Sequence, residues 1–155
     1  MSHIILAPQF DIPVNSPGLN SHNTMLKLTR KLEYALIALC HMQNTRDTFI
    51  SAKEMADMYL IPQELLAKTL QKMAKLNYIK AAQGPRGGYR IRKGLTEISL
   101  TQFIEDMEGP IGIVDCNINS DCVQLENCNI RMPIKQLNNN IRAIINGIRV
   151  GDITS

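Results

Sequence analysis

Three cysteines stand at even spacing, Cys116-x5-Cys122-x5-Cys128, in a polar stretch of the chain. Cysteines that serve packing sit on apolar helix or strand faces, whereas these are flanked by Asn, Asp and Ser, so sulfur chemistry rather than bulk sets their use. The chain has four cysteines in all, and its first 24 residues lack the basic start and apolar block of a secretory signal. That combination predicts a cytoplasmic protein, whose compartment keeps thiols reduced, and so metal or redox chemistry in place of structural disulfides.

Three thiolates and a fourth ligand make a good zinc site, but structural zinc favours short C-x2-4-C knuckles. An iron–sulfur cluster is larger than a single ion and also needs thiolates, so wider spacing on a polar loop suits it better. A thiol/disulfide switch without a metal is the other reading of the same residues. For a cluster, the candidate fourth ligands are Cys40, His41, Glu33, Asp115, Asp121 or a group from a second subunit. Cys40 continues the apolar face of a helix and reads as core, and His41 beside it as a helix-terminal residue.

Those ligands need a scaffold, and periodicity supplies one. From Thr29, Leu32, Ala35, Leu36, Leu39 and Cys40 recur at helical spacing up to a polar turn at Asn44. Ser51 and Glu54 have capping-box spacing and open a short second helix through Met55, Ala56 and Met58. Pro62 opens a third helix to about Leu76. On it, Leu65, Leu66, Thr69, Leu70, Met73 and Leu76 are expected to face inward, and Gln63, Glu64, Lys68, Gln71, Lys72 and Lys75 outward. Two short strands follow, Tyr78 to Ala81 and Tyr89 to Arg92, joined by Gln83-Gly84-Pro85-Arg86-Gly87-Gly88. Helix, turn, helix and a hairpin with a basic tip make a winged helix, in which Arg86 suits a minor groove.

Beyond the wing, Leu100, Phe103, Ile104 and Met107 mark a helix from Ser99 to Met107, and Gly109-Pro110 ends it. A cysteine loop from about Asp115 to Asn129 leads to a last helix, about Pro133 to Gly147. Its wide stripe of Ile134, Leu137, Ile141, Ile144, Ile145 and Ile148 predicts a dimer surface, because two-fold symmetric proteins read operator DNA. The expected fold is thus mainly α with a small β-hairpin wing. A flexible extension occupies residues 1–24, a winged helix-turn-helix DNA-binding domain residues 25–95, and the cluster loop and dimerisation helix residues 96–155. Met25 is a candidate alternative start.

Composition narrows the class. Hydrophobic residues form 45% of the 155, enough for a packed core and too many for a disordered chain. The net charge of +3 is too small to identify a nucleic-acid binder by itself, so the placement of Lys and Arg has to carry that reading. No apolar run is long enough for a membrane span. There is no Gly-rich phosphate loop, and His3, His22 and His41 have no evident catalytic partner, so an enzyme is not expected.

From Met25 to about Ile153 the chain resembles the IscR/NsrR-type family of winged-helix regulators that sense iron–sulfur clusters or nitric oxide. The resemblance rests on Leu28-Thr29 with Tyr34-Ala35-Leu36, the helix-turn-helix from Ser51, the wing Gly84-Pro85-Arg86-Gly87-Gly88-Tyr89, and the three cysteines. It implies a homodimeric, cytoplasmic transcription regulator, read here as a repressor, that binds palindromic double-stranded operator DNA under control of its cluster. Gln63, Glu64 and Lys68 would then approach bases, Lys72 phosphate, and Arg86 the minor groove. The cluster would be [2Fe–2S] as in assembly regulators, or [4Fe–4S] as in nitric-oxide sensors. Assembly regulators of this type carry a histidine ligand three residues after the last cysteine, and here that position is Arg131. The nitric-oxide-sensing branch uses an acidic residue near the start of the first helix, where Glu33 stands. Glu33 is therefore the preferred fourth ligand beside Cys116, Cys122 and Cys128.

Overall fold

A computed structural model of the chain describes residues 28–45, 47–92, 94–113, 123–124 and 126–154. The expected extension over 1–24, the candidate start at Met25, and Asp115, Cys116, Asp121 and Cys122 lie outside the described residues.

Helix α1, Arg30–Asn44, begins where the Thr29 hydroxyl accepts the Leu32 amide and so satisfies a donor that the helix start leaves unbonded. Its face of Leu32, Ala35, Leu39 and Met42 is fully buried. Helix α2, Ala52–Tyr59, is capped by Ser51 Oγ, which accepts the Glu54 amide at 3.1 Å. Leu60 closes it in the left-handed conformation, φ 53°, and turns the chain into α3, Gln63–Lys75. Pro62 is the cap of α3 rather than its first residue, in keeping with its lack of an N–H to bond.

Strands β1, Ile79–Ala82, and β2, Gly88–Ile91, pair antiparallel from Ile79 opposite Ile91 to Ala82 opposite Gly88. Each lies within a residue of its expected span. A reciprocal pair of hydrogen bonds between Ile50 and Tyr89, at 3.0 and 2.8 Å, fastens this hairpin to the segment just before α2. The fold is a winged helix, mostly helical with one two-stranded antiparallel hairpin.

After a 3-10 turn at Leu95–Glu97 come α4, Leu100–Glu108, α5, Arg131–Asn146, and α6, Val150–Ile153. Helix α5 starts two residues earlier than expected. Pro133 is its third residue, and amides in a helix's first turn have no intrahelical acceptor to lose. Helix α6 was not expected. It forms because the Val150 amide donates to Ile98 O and the Leu100 amide to Ile148 O, which returns the chain beneath the start of α4 and buries Val150.

One hydrophobic cluster joins all of this, from Leu32 on α1 through Met55, Leu66, Leu70, Met73 and Ile79 to Phe103, Met107 and Val150. Complete burial of each such side chain contributes roughly 1.5–3 kcal/mol. Among the described residues, no helix is long and apolar enough to cross a membrane.

Candidate nucleic-acid interface and cysteine site

Helix α3 projects Gln63, Glu64 and Lys68 into solvent from its first two turns, as the sequence suggested. Two of its residues differ from expectation. Leu65, expected in the core, is 49% exposed, because Leu66 and Leu70 already fill the space beneath the helix. Lys72, expected to face outward toward phosphate, is half-buried, and its ammonium donates to the Met107 carbonyl at 2.8 Å. Carbonyls in a helix's last turn lack intrahelical partners and carry the negative end of its dipole, which draws a cation there. Leu65, Lys68 and Lys72 border one groove with Arg30, Lys31 and Tyr34 of α1, so the basic side chains of both helices lie on the same side of the molecule.

The wing is built by its glycines. The Gly87 amide donates to Gly84 O at 2.9 Å and closes the turn that carries Arg86, which is exposed. Gly88 has φ +144°, and a Cβ there would lie 2.4 Å from Ile50 O. Only glycine therefore allows the strand to approach Ile50 closely enough for the Tyr89 bridge. Behind the tip, the Arg90 guanidinium lies 4.8 Å from the Phe49 ring centre.

Helix α4 braces the other side of β1. The Tyr78 hydroxyl donates to Asp106 Oδ2 at 2.5 Å, and its ring meets Phe103 edge-on at 4.9 Å. Burial, together with the hydrogen bond to the Asp106 carboxylate and its charge, raises the Tyr78 phenol pKa well above its ordinary value. The N-terminal end of α1 is tied to the same helix, with Thr29 Oγ1 donating to Glu108 and Lys31 pairing with that carboxylate at 3.1 Å.

Of the expected cluster ligands, Cys128 and Glu33 are described. Cys128 is a free, half-buried thiol in the turns just before α5. Glu33 is half-buried in the first turn of α1 and accepts from Arg30 at 2.8 Å. Cys40 is half-buried and donates to Thr154 O at 3.3 Å, and His41 bonds the Tyr59 hydroxyl at 3.0 Å, so both have structural partners. Among the described residues, no three His, Cys, Asp or Glu side chains gather as a metal site. The sequence reading missed Glu105. Its carboxylate holds Arg142 of α5 and accepts the Ile111 amide at 3.3 Å, joining α4, α5 and the segment that leads toward Cys116. Glu105 and Arg142 are 37 residues apart, and no local pattern marks the pair.

The family model for Rrf2, described as an iron-dependent transcriptional regulator, matches residues 28–155. The HTH-type transcriptional regulator NsrR of Bacillus licheniformis is 28% identical over 92 residues, which cover 59% of this chain and 64% of that protein. The chain spans between about half and two thirds of the length of the curated relatives it matches. Among solved structures, CymR, the global cysteine regulator of B. subtilis, is 18% identical, with a TM-score of 0.64 over 83% of this chain and 96% of that one. IscR of T. potens is 17% identical, with a TM-score of 0.62 over 83% and 85%. At these identities the structural likeness is one of fold.

Proposed function

The chain belongs to the Rrf2 family of iron-dependent transcriptional regulators, and we propose that it is a cytoplasmic homodimeric repressor whose grip on double-stranded operator DNA is set by an iron–sulfur cluster. Its place is that of a transcription regulator and not of an enzyme. The observation that carries the DNA-binding reading is the pairing of two exposed features on one winged helix. The first turns of α3 offer Gln63, Glu64 and Lys68, and the wing tip offers Arg86. In this reading residues 25–95 bind DNA, with base contacts from Gln63, Glu64 and Lys68 and the wing in a minor groove. Lys72 keeps its place beside α4, with its ammonium bonded to Met107 O.

Residues 96–155 form the sensing and dimerisation part. Cys116, Cys122 and Cys128 are the thiolate ligands and Glu33 the fourth, a donor set of three soft sulfurs and one displaceable oxygen that suits a labile iron–sulfur centre. The family's iron dependence favours that use. Similarity to NsrR and IscR favours a cluster of either [2Fe–2S] or [4Fe–4S] type, with [2Fe–2S] preferred. When bound, such a cluster supplies an iron centre reactive toward oxidants and nitric oxide. Of these ligands Cys128 stands just before α5, whose exposed Leu137 and Ile144 would form the dimer seam.

The test is visible absorbance with iron and sulfide analysis of protein purified without oxygen, repeated on Cys122→Ala and Glu33→Ala. Matched iron and sulfide, with colour lost in Cys122→Ala while the helical circular dichroism persists, is the expected result. A colourless protein carrying zinc or no metal would replace this reading with a thiol switch.

A further inference from the structure

We propose that the cleft between α4 and α5 is a binding site for a free amino acid. The cleft, about 390 Å³, is lined by Thr101 of α4 and by Asn139, Arg142, Ala143 and Asn146 of α5. Thr101 is 6% exposed and its hydroxyl has no hydrogen-bond partner among the described residues. One helical turn from Arg142, Asn138 is 8% exposed and its Oδ1 is likewise unpartnered. Buried polar atoms in folded proteins are nearly always bonded, so the unpartnered Thr101 hydroxyl at the wall of the cleft points to a polar visitor, while the Asn138 orphan lies outside the lining. Thr69 shows the contrast. In mid-helix its hydroxyl donates to Leu65 O, whereas Thr101 sits in the first turn of α4, with no turn of its own helix beneath it.

The chemistry of the lining selects the ligand. Arg142 is a cation already paired with the Glu105 carboxylate, and its guanidinium keeps further N–H groups to donate. A simple anion would meet Glu105 unfavourably and a simple cation Arg142, and a neutral polyol offers neither end of the Arg142–Glu105 pair a charge. A zwitterion answers each. Its carboxylate suits Arg142 and the Asn146 amide, and its ammonium suits Thr101 Oγ1 and the amide oxygens. The volume lies within the range of small-molecule sites.

A second copy docked on α5 leaves the cleft open. At about 100° of rotation per residue, Asn139, Arg142, Ala143 and Asn146 fall roughly opposite Leu137, Ile141 and Ile144 on the helix. Because Glu105 also holds the Ile111 amide, a ligand that draws Arg142 away acts on the segment leading to the cysteines.

The experiment is isothermal titration of the full-length dimer with each common amino acid in turn, cysteine excepted because its thiol competes for iron. D-glucose and inorganic phosphate serve as the polyol and anion probes. The expected result is saturable binding of at least one amino acid with a Kd below about 1 mM. Thr101→Val and Asn146→Ala should each weaken it by roughly tenfold, about the effect of one hydrogen bond. Asn146 is exposed, so its variant keeps the test valid if Thr101→Val does not fold. Absence of saturable binding by any amino acid, equal binding of glucose or phosphate, or unchanged affinity in the folded variants would overturn the proposal. The readout uses no chromophore, so it stands or falls apart from the cluster.

Discussion

Gly88→Ala should detach the wing from the helix-turn-helix without unfolding the chain. The added Cβ would lie 2.4 Å from Ile50 O and 2.6 Å from Ile50 C, both backbone atoms that cannot swing aside as a side chain does. Holding alanine at φ +144° costs roughly 1–3 kcal/mol, and shifting backbone to relieve the overlap a further 1–3, so about 4 kcal/mol is at stake. That is a large part of a domain's typical stability of about 5–15 kcal/mol, yet short of all of it. Gly84→Ala is the internal control. Gly84 also has positive φ, +105°, but nothing lies within 4 Å of its Cβ position, so only the backbone strain of roughly 1–3 kcal/mol applies. Urea denaturation of both variants measures the difference. Hydrogen exchange at the Tyr89 amide, which donates to Ile50 O at 2.8 Å, reports the bridge itself. Equal losses in the two variants, or a Tyr89 amide as protected in Gly88→Ala as in the parent, would refute the steric argument for the wing's attachment.

Other predictions follow from the same geometry. Arg86→Ala should weaken DNA binding and reduce the dependence of log affinity on log salt by about 0.9, one phosphate's worth, whereas Lys68→Ala should weaken binding and relax its sequence specificity. Lys72→Met should leave that slope nearly unchanged while lowering the urea midpoint, since its ammonium serves Met107 O; a full unit of slope lost there would return Lys72 to the DNA face. Tyr78→Phe should cost roughly 1.5–3 kcal/mol at neutral pH by removing the bond to Asp106. Because the folded phenol is held above its unfolded pKa of about 10, this stabilisation is complete below that pH and fades as pH rises beyond it. Urea midpoints should therefore fall on going above about pH 10 in the parent and stay flatter in the variant. Leu137→Glu should give a folded monomer by sedimentation, as Leu137 is 48% exposed and outside the core.

The order and type of the main elements were legible because apolar spacing marks each helix and three of them begin at a capping hydroxyl. Thr29, Ser51 and Ser99 are caps whose hydroxyls accept the amide three residues on, and apolar spacing then carries each helix forward. The wing was legible because a glycine-rich turn between alternating strands has few other uses. Periodicity could not rank Leu65 against Leu66, since adjacent apolar residues both fit a wide stripe, and only packing shows which one the core has room for. Nor could it foresee Lys72, whose partner is a carbonyl 35 residues away. Helix α6 depends on the bridge between Ser99 and Arg149, a pairing with no sequence signature. At the cysteines the spacing points to metal or thiol chemistry, but Glu33 is far from them in sequence and came only through resemblance.

Any control of DNA binding from the cysteine segment has to reach α3, and the described residues provide one bonded route. The Ile111 amide meets Glu105, Glu105 lies on α4 and holds Arg142 of α5, and the last turn of α4 accepts Lys72 of α3 through Met107 O. The last turn of α4 is thus where these contacts meet, and the helix is packed into the core through the fully buried Phe103 and Met107. The Ile111 to Glu105 bond, at 3.3 Å, lies just past the usual range for N–H···O bonds, while the Lys72 to Met107 bond is a short 2.8 Å. Both contacts sit in the last turn of α4, so the segment leading toward Cys116 and helix α3 are bonded to one turn of the same helix, the contacts through which a change in that segment would reach the helix-turn-helix.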